Sequence, residues 1–361
     1  MKSFSSADCS STHGLWVLVL LMFIAGPLGC DRVVDRVVRA AADRAAGGTR
    51  TDLLDNGSLN VFLCGTGSPL ADPGSASACT LVLAGGKAYV VDVGLGSQEV
   101  AQLARMPRAS LGGIFLTHFH SDHIGELGEW AMQSWVAGRQ EPLDIYGPEG
   151  VTRVVNGFKQ AYSLDDVYRI DHHGLEYLPR NATDWIPHPV PYENGVGQVI
   201  LEENGLTVTA FAVDHEPVSP AVGYRFDYQG RSVVISGDTD KSPNLVRNAA
   251  GADVLIHEVL LKEIILQISQ IQADEGRDRM AKLAADVVDY HTSPAEAVEI
   301  AQQAGVGMLV FNHLVPPVPG MLRNFLFMRG VEPGDVEVVL GEDGMLIELP
   351  GGGSEILLES P

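Results

Sequence analysis

The sequence predicts a layered α/β fold, on three observations. Short apolar runs of strand length recur along the 361-residue chain, separated by segments with apolar residues at helical spacing. Turn formers punctuate the runs, with 40 Gly and 20 Pro, and the composition fits no fibrous or low-complexity class. Histidines and aspartates fall at the ends of those runs, where open α/β sheets place ligands. At 45% hydrophobic residues, a chain of this length can build one large core.

The amino terminus stands apart from that fold. Lys2 precedes an apolar stretch over 15–25, closed by Gly26-Pro27-Leu28-Gly29-Cys30. This run falls short of the roughly 20 residues needed to span a bilayer, and it suits a secretory signal peptide over 1–30. Its end, Leu28-Gly29-Cys30, resembles a bacterial lipoprotein cleavage box, with Pro27 where that family usually carries an aliphatic residue. Export is expected, to the periplasm or to a membrane reached through the leader or a lipid on Cys30. Residues 31–57 then read as a tether: valine pairs and alanines at helical spacing form a short amphipathic helix that Gly47-Gly48 stops. The globular domain spans 58–350, and 351–361 is a tail.

Within the domain, 59–63 reads as a first strand, followed by the turn Cys64-Gly65-Thr66-Gly67-Ser68-Pro69. Strands follow at 79–83 and 88–93, the second ending in Asp92-x-Gly94-x-Gly96, whose glycines allow a close backbone approach. Cys64 and Cys79 flank one loop; a disulfide and two buried thiols in neighbouring strands are both open. A helix over 97–106 leads to the strand Gly113-Ile114-Phe115-Leu116, and a helix over 126–136 follows. After a strand at 143–146 and a helix over 151–162, the segment 163–198 shows no clear element. A loop of that length suggests a lid or substrate wall. Its His172-His173 pair suits the surface, since adjacent histidines rarely face one ion. Next come a half-buried strand at 206–213, a hairpin of 221–228 with 232–235, and a buried strand at 252–256. A long helix over 259–285 precedes a helix at 295–304, capped by Ser293 with Pro294 at its first position. A strand at 308–311 and a closing hairpin of 336–340 with 345–349 complete the domain.

Everything is arranged around Thr117-His118-Phe119-His120-Ser121-Asp122-His123, directly after an apolar strand. Imidazole and carboxylate are the donors that suit Zn²⁺, with Fe and Mn as alternatives. Alternation lets His118 and His120 face one point while Asp122 and His123 turn toward a second. One ion does not need four donors from a single loop plus more from elsewhere, so a dinuclear site is expected. His215, Asp238, His257, His291 and His313 also sit at strand ends or a helix start, on a rim where they can converge.

Taken in order, His118-x-His120-x-Asp122-His123, His215, Gly237-Asp238-Thr239, His291-Thr292-Ser293 and Asn312-His313 resemble the metallo-β-lactamase fold superfamily over about 58–350. The resemblance implies an αβ/βα four-layer sandwich. It implies His118, His120 and His215 on one metal, Asp122, His123 and His313 on the other, and Asp238 bridging two Zn²⁺ ions. Gly65-Thr66-Gly67-Ser68-Pro69, His257-Glu258 and His291-Thr292-Ser293 look like the ribonuclease Z and arylsulfatase-like branch. In that family Asp122 also takes a proton from the attacking water. His291, arriving at a helix start, is placed to touch the substrate oxyanion or to protonate the leaving group, with Glu258 as the partner that orients it.

Three features steer the substrate expectation, the first being the expected export leader, which separates the chain from cytoplasmic precursor tRNA. The chain carries 24 basic against 46 acidic residues, a net charge of −22, without a basic run. Nucleic-acid binding draws on phosphate neutralisation, so the charge speaks against a nucleic-acid partner. Only 22 residues separate His215 from Asp238, where long-arm tRNA-processing relatives insert an arm. The expectation is therefore an exported dinuclear hydrolase of small anionic esters, aryl sulfates or phosphodiesters, acting through a hydroxide shared by both ions. A tRNA 3′-processing endoribonuclease is the alternative, a non-catalytic metal-binding envelope protein a further one, and a homodimer is left open.

Overall fold

The structure, a computed structural model, describes residues 33–40, 47–191 and 196–361. The expected leader over 1–30, with Cys30, lies outside the described residues. Residues 33–40 form an exposed helical stretch. No helix among the described residues is long and apolar enough to cross a membrane. The chain divides into two units, Met1–Thr49 and Arg50–Pro361, and the second carries the fold.

Two sheets dominate that unit. The first takes β1 (Ser58–Gly65), β2 (Cys79–Ala84), β3 (Lys87–Val91), β4 (Leu111–Phe115), β5 (Leu143–Gly147) and β6 (Trp185–Pro189), with β14 (Leu346–Pro350) and β15 (Leu357–Glu359) beyond β1. The second runs, in spatial order, β13 (Glu337–Leu340), β12 (Met308–Val315), β11 (Val254–Leu260), β10 (Arg231–Ile235), β9 (Val222–Tyr228), β8 (Leu206–Ala212) and β7 (Gln198–Glu203). Antiparallel pairing of β1 to β3 gives way to parallel pairing of β3 to β6; likewise β10 to β13 are parallel. Parallel strands are buried on both faces and read as continuous apolar runs, which is why β11 and β12 are buried at every position.

The inner faces pack on each other through Val61, Val82, Phe115, Tyr224, Phe226 and Val310. Phe115 stacks on Tyr146 at 4.7 Å and meets Tyr224 and Phe226 edge-on. Outside the first sheet lie α1 (Ser97–Leu103), α2 (Ser121–Ile124), α3 (Leu127–Val136) and α4 (Val151–His173); Trp130 and Trp135 of α3 pack against Leu81, Ile114 and Leu116. Outside the second lie α5 (Pro243–Asn248) and α8 (Pro294–Ala304), burying Leu245, Ala297 and Ile300. Helix, sheet, sheet, helix is the predicted αβ/βα sandwich. Ser293 caps α8 as a full capping box with Glu296 and with Pro294 following, as its sequence foretells.

Several elements differ from expectation. Helix α4 runs to His173, through a stretch expected to be irregular. It buries only Val151, Val155 and Ile170, so no apolar stripe betrays its second half. The long helix expected over 259–285 is instead the end of β11, then α6 (Lys262–Asp274) and α7 (Asp278–Asp286). Gly276 breaks it in a left-handed backbone, φ 71°. The closing hairpin does not form: β13 lies parallel to β12 in one sheet, and β14 antiparallel to β1 in the other. Cys64 and Cys79 are disulfide-bonded; closing a loop of 15 residues is worth about 3 kcal/mol.

Candidate metal centre

The site lies where β3, β4, β8, β10 and β12 end. Asp92 follows β3 in a left-handed backbone, φ 56°, which aspartate tolerates better than most residues. Its carboxylate accepts from the Thr117 backbone N–H at 2.9 Å, the Thr117 hydroxyl at 2.8 Å and His123 Nδ1 at 2.8 Å. Two strand ends and one imidazole are thereby fixed to a single carboxylate. The glycine reading after β3 holds: a Cβ on Gly94 would stand 2.3 Å from the carbonyl oxygen of Asp122. Helix α2 begins just after His120 and carries Asp122 and His123 inward in its first turn, both buried.

The structure brings seven of the predicted residues into two donor groups. His118, His120, His215 and Asp238 present donor atoms within 4.8 Å of one another, as do Asp122, His123 and His313. Asp238 stands between them: its Oδ2 is 3.3 Å from His123 Nε2, 3.5 Å from His313 Nε2 and 3.9 Å from His118 Nε2. His313, in a left-handed backbone with φ 44°, also sets Nε2 3.1 Å from Asp122 Oδ2. Asp238, His291 and His313 satisfy the same distance test. The exposed pair His172-His173 ends α4 and lies outside these groups, and His188 pairs with Asp144 at 2.7 Å on the β5–β6 edge. His257 is buried, with Nδ1 on the Glu258 carbonyl at 2.7 Å, and is likewise outside them.

A metal fits this arrangement on the hydrogen-bond accounting. His118 Nδ1 is taken by Thr117, His123 Nδ1 by Asp92 and His215 Nδ1 by the Tyr290 carbonyl at 2.9 Å. Their Nε2 atoms, and Asp238 Oδ1, are buried without a partner. Buried polar atoms are rarely left so, and imidazoles with one nitrogen held and the other bare and convergent are what a metal needs.

The charges agree. Burial among other imidazoles pushes His118 well below its ordinary pKa, and burial lowers His215, so both rings are neutral and their Nε2 lone pairs are free. Asp238 resists burial: His313, His123 and His118 hold its carboxyl well below the usual range. Burial also opposes charge on His291, yet Glu258 beside it lifts that ring to about 9. Glu258 Oε1 accepts from His291 Nδ1 at 3.0 Å and from the backbone N–H of Thr292 at 3.0 Å and Thr239 at 3.2 Å.

Asp92 is the residue that sequence reasoning passed over. An acid closing a strand before two glycines reads as a turn, and only its three-dimensional partners reveal the grip on His123. Asp92→Asn places an amide group among donors, and metal affinity is expected to fall about 10–100-fold, checked by competitive titration against a chromogenic chelator.

Two face-packed sheets, outer helices and a double His/Asp donor group define a metal-binding αβ/βα hydrolase. The family model described as Metallo-beta-lactamase superfamily matches residues 72–288, and the chain belongs to that superfamily. Within it, the chain is 38% identical over 285 residues to "Ribonuclease Z" of Mycobacterium bovis (strain BCG / Pasteur 1173P2), covering 78% of this chain and 95% of that protein. To "Ribonuclease Z" of Mycobacterium marinum (strain ATCC BAA-535 / M) it is 37% identical over 263 residues, with coverage of 72% and 88%. The structure of human tRNase Z, short form, superposes with a TM-score of 0.57 at 20% identity, over 81% of this chain and 99% of that one, a likeness of fold. The chain is a metal-dependent hydrolase of ester bonds, so the non-catalytic alternative drops out.

These relatives overturn the main functional expectation, that the substrate is a small anionic ester, and with it the argument against a nucleic-acid partner. The reasoning failed at the charge. A net −22 sums the whole sequence, whereas an incoming phosphate feels mainly charges within a Debye length of about 8–10 Å. The short interval from His215 to Asp238 is filled here by β9 and β10.

Proposed function

We propose that this chain is an endoribonuclease that cuts an RNA phosphodiester in the manner of tRNA 3′ processing. The observation that carries the reading is 38% identity to a protein named Ribonuclease Z across 95% of that protein. The hydrolase domain spans 58–350, and the metals are two Zn²⁺ ions, with Mn or Fe as alternatives. His118, His120 and His215 would hold one ion and Asp122, His123 and His313 the other, with Asp238 serving both. Bound there, two divalent ions supply a water of lowered pKa and positive charge for the phosphate.

The chain's own groups do the rest. Asp122 resists its burial and is held below the ordinary carboxyl range by His313 and His123, so it is ionised and accepts a proton from the attacking water. His291, kept doubly protonated by Glu258 on its Nδ1 side, lies beside the donors and gives its Nε2 proton to the departing ribose oxygen. Glu258 fixes the ring: with Oε1 on Nδ1, the Nε2 face is turned to substrate. The apolar run over 15–25 and the turn that closes it support export of the chain, which fractionation of cells checks.

The test is the zinc-loaded full chain against a precursor tRNA with a 3′ trailer, an aryl sulfate and a bis-aryl phosphodiester. Endonucleolytic release of the trailer, lost on chelation, is the expected result. Turnover of the aryl esters with intact precursor tRNA would overturn the reading.

A further inference from the structure

The loop 65–78, which joins β1 to β2, is tied at both of its ends to the donor group of Asp122, His123 and His313. His313 is the extra residue of a bulge in β12: Asn312 pairs with Glu258 and Leu314 with Val259, so the β11 ladder skips it. What fixes the chain just past His313 is the loop, whose Thr66 carbonyl accepts from the Leu314 backbone N–H at 2.8 Å. The far end of the loop holds the segment after Asp92. There the Ala78 carbonyl accepts from the Gly94 N–H at 3.0 Å, and the Ser77 N–H donates to the Leu95 carbonyl at 2.9 Å. Asp92 in turn grips His123 Nδ1. Asp92 serves Thr117 as well, beside His118, so the tie through Leu314 is the one specific to the second donor group.

Cys64 and Cys79 bracket this loop and are bonded to each other. Cys64 is itself the extra residue of a bulge in β1, since Leu63 faces Thr80 and Gly65 faces Cys79. Cys79 also lines a small cavity together with Asp92, His123, Asp238 and His313, so the bridge neighbours the donors as well as the loop. We propose that this pair is an oxidative lock on the metal centre: joined, it lets the second donor group hold its ion firmly, and as two thiols it lets that ion go more easily. The inference rests on the two-ion reading above and is independent of the substrate. The bond forms when the two thiols pass two protons and two electrons to another disulfide, which leaves as two thiols; two-electron reduction reverses it. Other ties act on the loop regardless of the bridge. Asp343 accepts from the Thr66 N–H at 2.8 Å and the Ala76 N–H at 2.6 Å, and Arg323 reaches Asp72 at 2.8 Å. The lock is therefore graded: without it the loop keeps its shape and loses the closure that pins its ends. Both cysteines are buried, at 0% and 1%, so the state is set as the chain folds and is kept afterwards. Such bonds persist in oxidising compartments, where the export proposed above would take the chain.

The experiment compares three forms of the full chain: with the disulfide formed, reduced by a phosphine in denaturant and refolded without air, and Cys64→Ala/Cys79→Ala. Each is titrated with zinc against a chromogenic chelator, a readout that needs no substrate. The binding step that His313→Ala removes identifies the second ion. That ion is expected to bind about 10- to 150-fold more weakly in the reduced chain and in the alanine variant, the upper figure being the worth of closing a 15-residue loop. The first ion should change less. Oxidised glutathione should restore the reduced chain and leave the alanine variant as it was. The alanine variant also excludes zinc taken up by the free thiols as the cause. Equal weakening of both ions, no weakening, or a reduced chain that oxidised glutathione does not restore overturns the lock. An oxidised chain that takes up a single zinc ion overturns the two-ion reading and the lock with it. No RNA is present, so the RNA reading stands or falls separately.

Discussion

Asp238→Ala is expected to abolish RNA cleavage and to leave a protein that no longer binds its full complement of metal. No other donor stands in both groups so squarely: one oxygen lies within 3.3–3.9 Å of imidazoles from both, and the other is buried without a partner. It is also the negative charge that offsets the imidazoles packed around it, which is why its carboxyl is held so far below the usual range. Loss of one stabilising donor in an active site costs about 10²–10³-fold in turnover; losing a ligand shared between ions should exceed that. Metal content by elemental analysis should fall below that of the unmutated chain. The thermal shift on adding zinc should shrink as well, since a ligand at 100 times its Kd stabilises by about 2.7 kcal/mol and a weaker one by less. Unchanged metal content with near-normal cleavage would remove Asp238 from the centre.

Much of this was legible in the sequence because the informative residues are concentrated. Four donors fall within six positions, from His118 to His123; His215 and Asp238 each follow a strand end that the apolar pattern marks, and His313 sits near the end of β12. The sandwich was legible for a related reason: strands buried on both faces leave unbroken apolar runs, as β11 and β12 do. What escaped is non-local or carries no pattern. The second half of α4 buries a single residue, Ile170. Strands β13 and β14 look like a hairpin because they are close in sequence, but their partners, β12 and β1, lie in different sheets. Asp92 acquires meaning only through contacts 25 and 31 positions away. The substrate escaped because net charge is a sum, and binding is decided by the charges within reach of the phosphate.

His291→Ala is expected to lower turnover about 10²–10⁴-fold, the usual worth of a positioned proton donor, with both metals retained. The structure makes this a discriminating experiment, because His291 also lies within ligand distance of Asp238 and His313. If the variant loses metal in proportion to activity, His291 belongs with the ligands. If metal stays and turnover falls, it is the proton donor. Glu258→Gln separates the roles further. Burial alone would push the His291 ring down, and the Glu258 carboxylate lifts it to about 9. Neutralising that carboxylate removes the lift, so the ring loses its proton at lower pH and the alkaline limb of kcat must move toward acid. Bound cations lower the ring's pKa in both proteins alike, so the comparison is between the two profiles and not with the number itself. An alkaline limb that stays in place in Glu258→Gln, while His291→Ala remains impaired, would mean that Glu258 aligns the Thr239 and Thr292 backbone without tuning the proton donor.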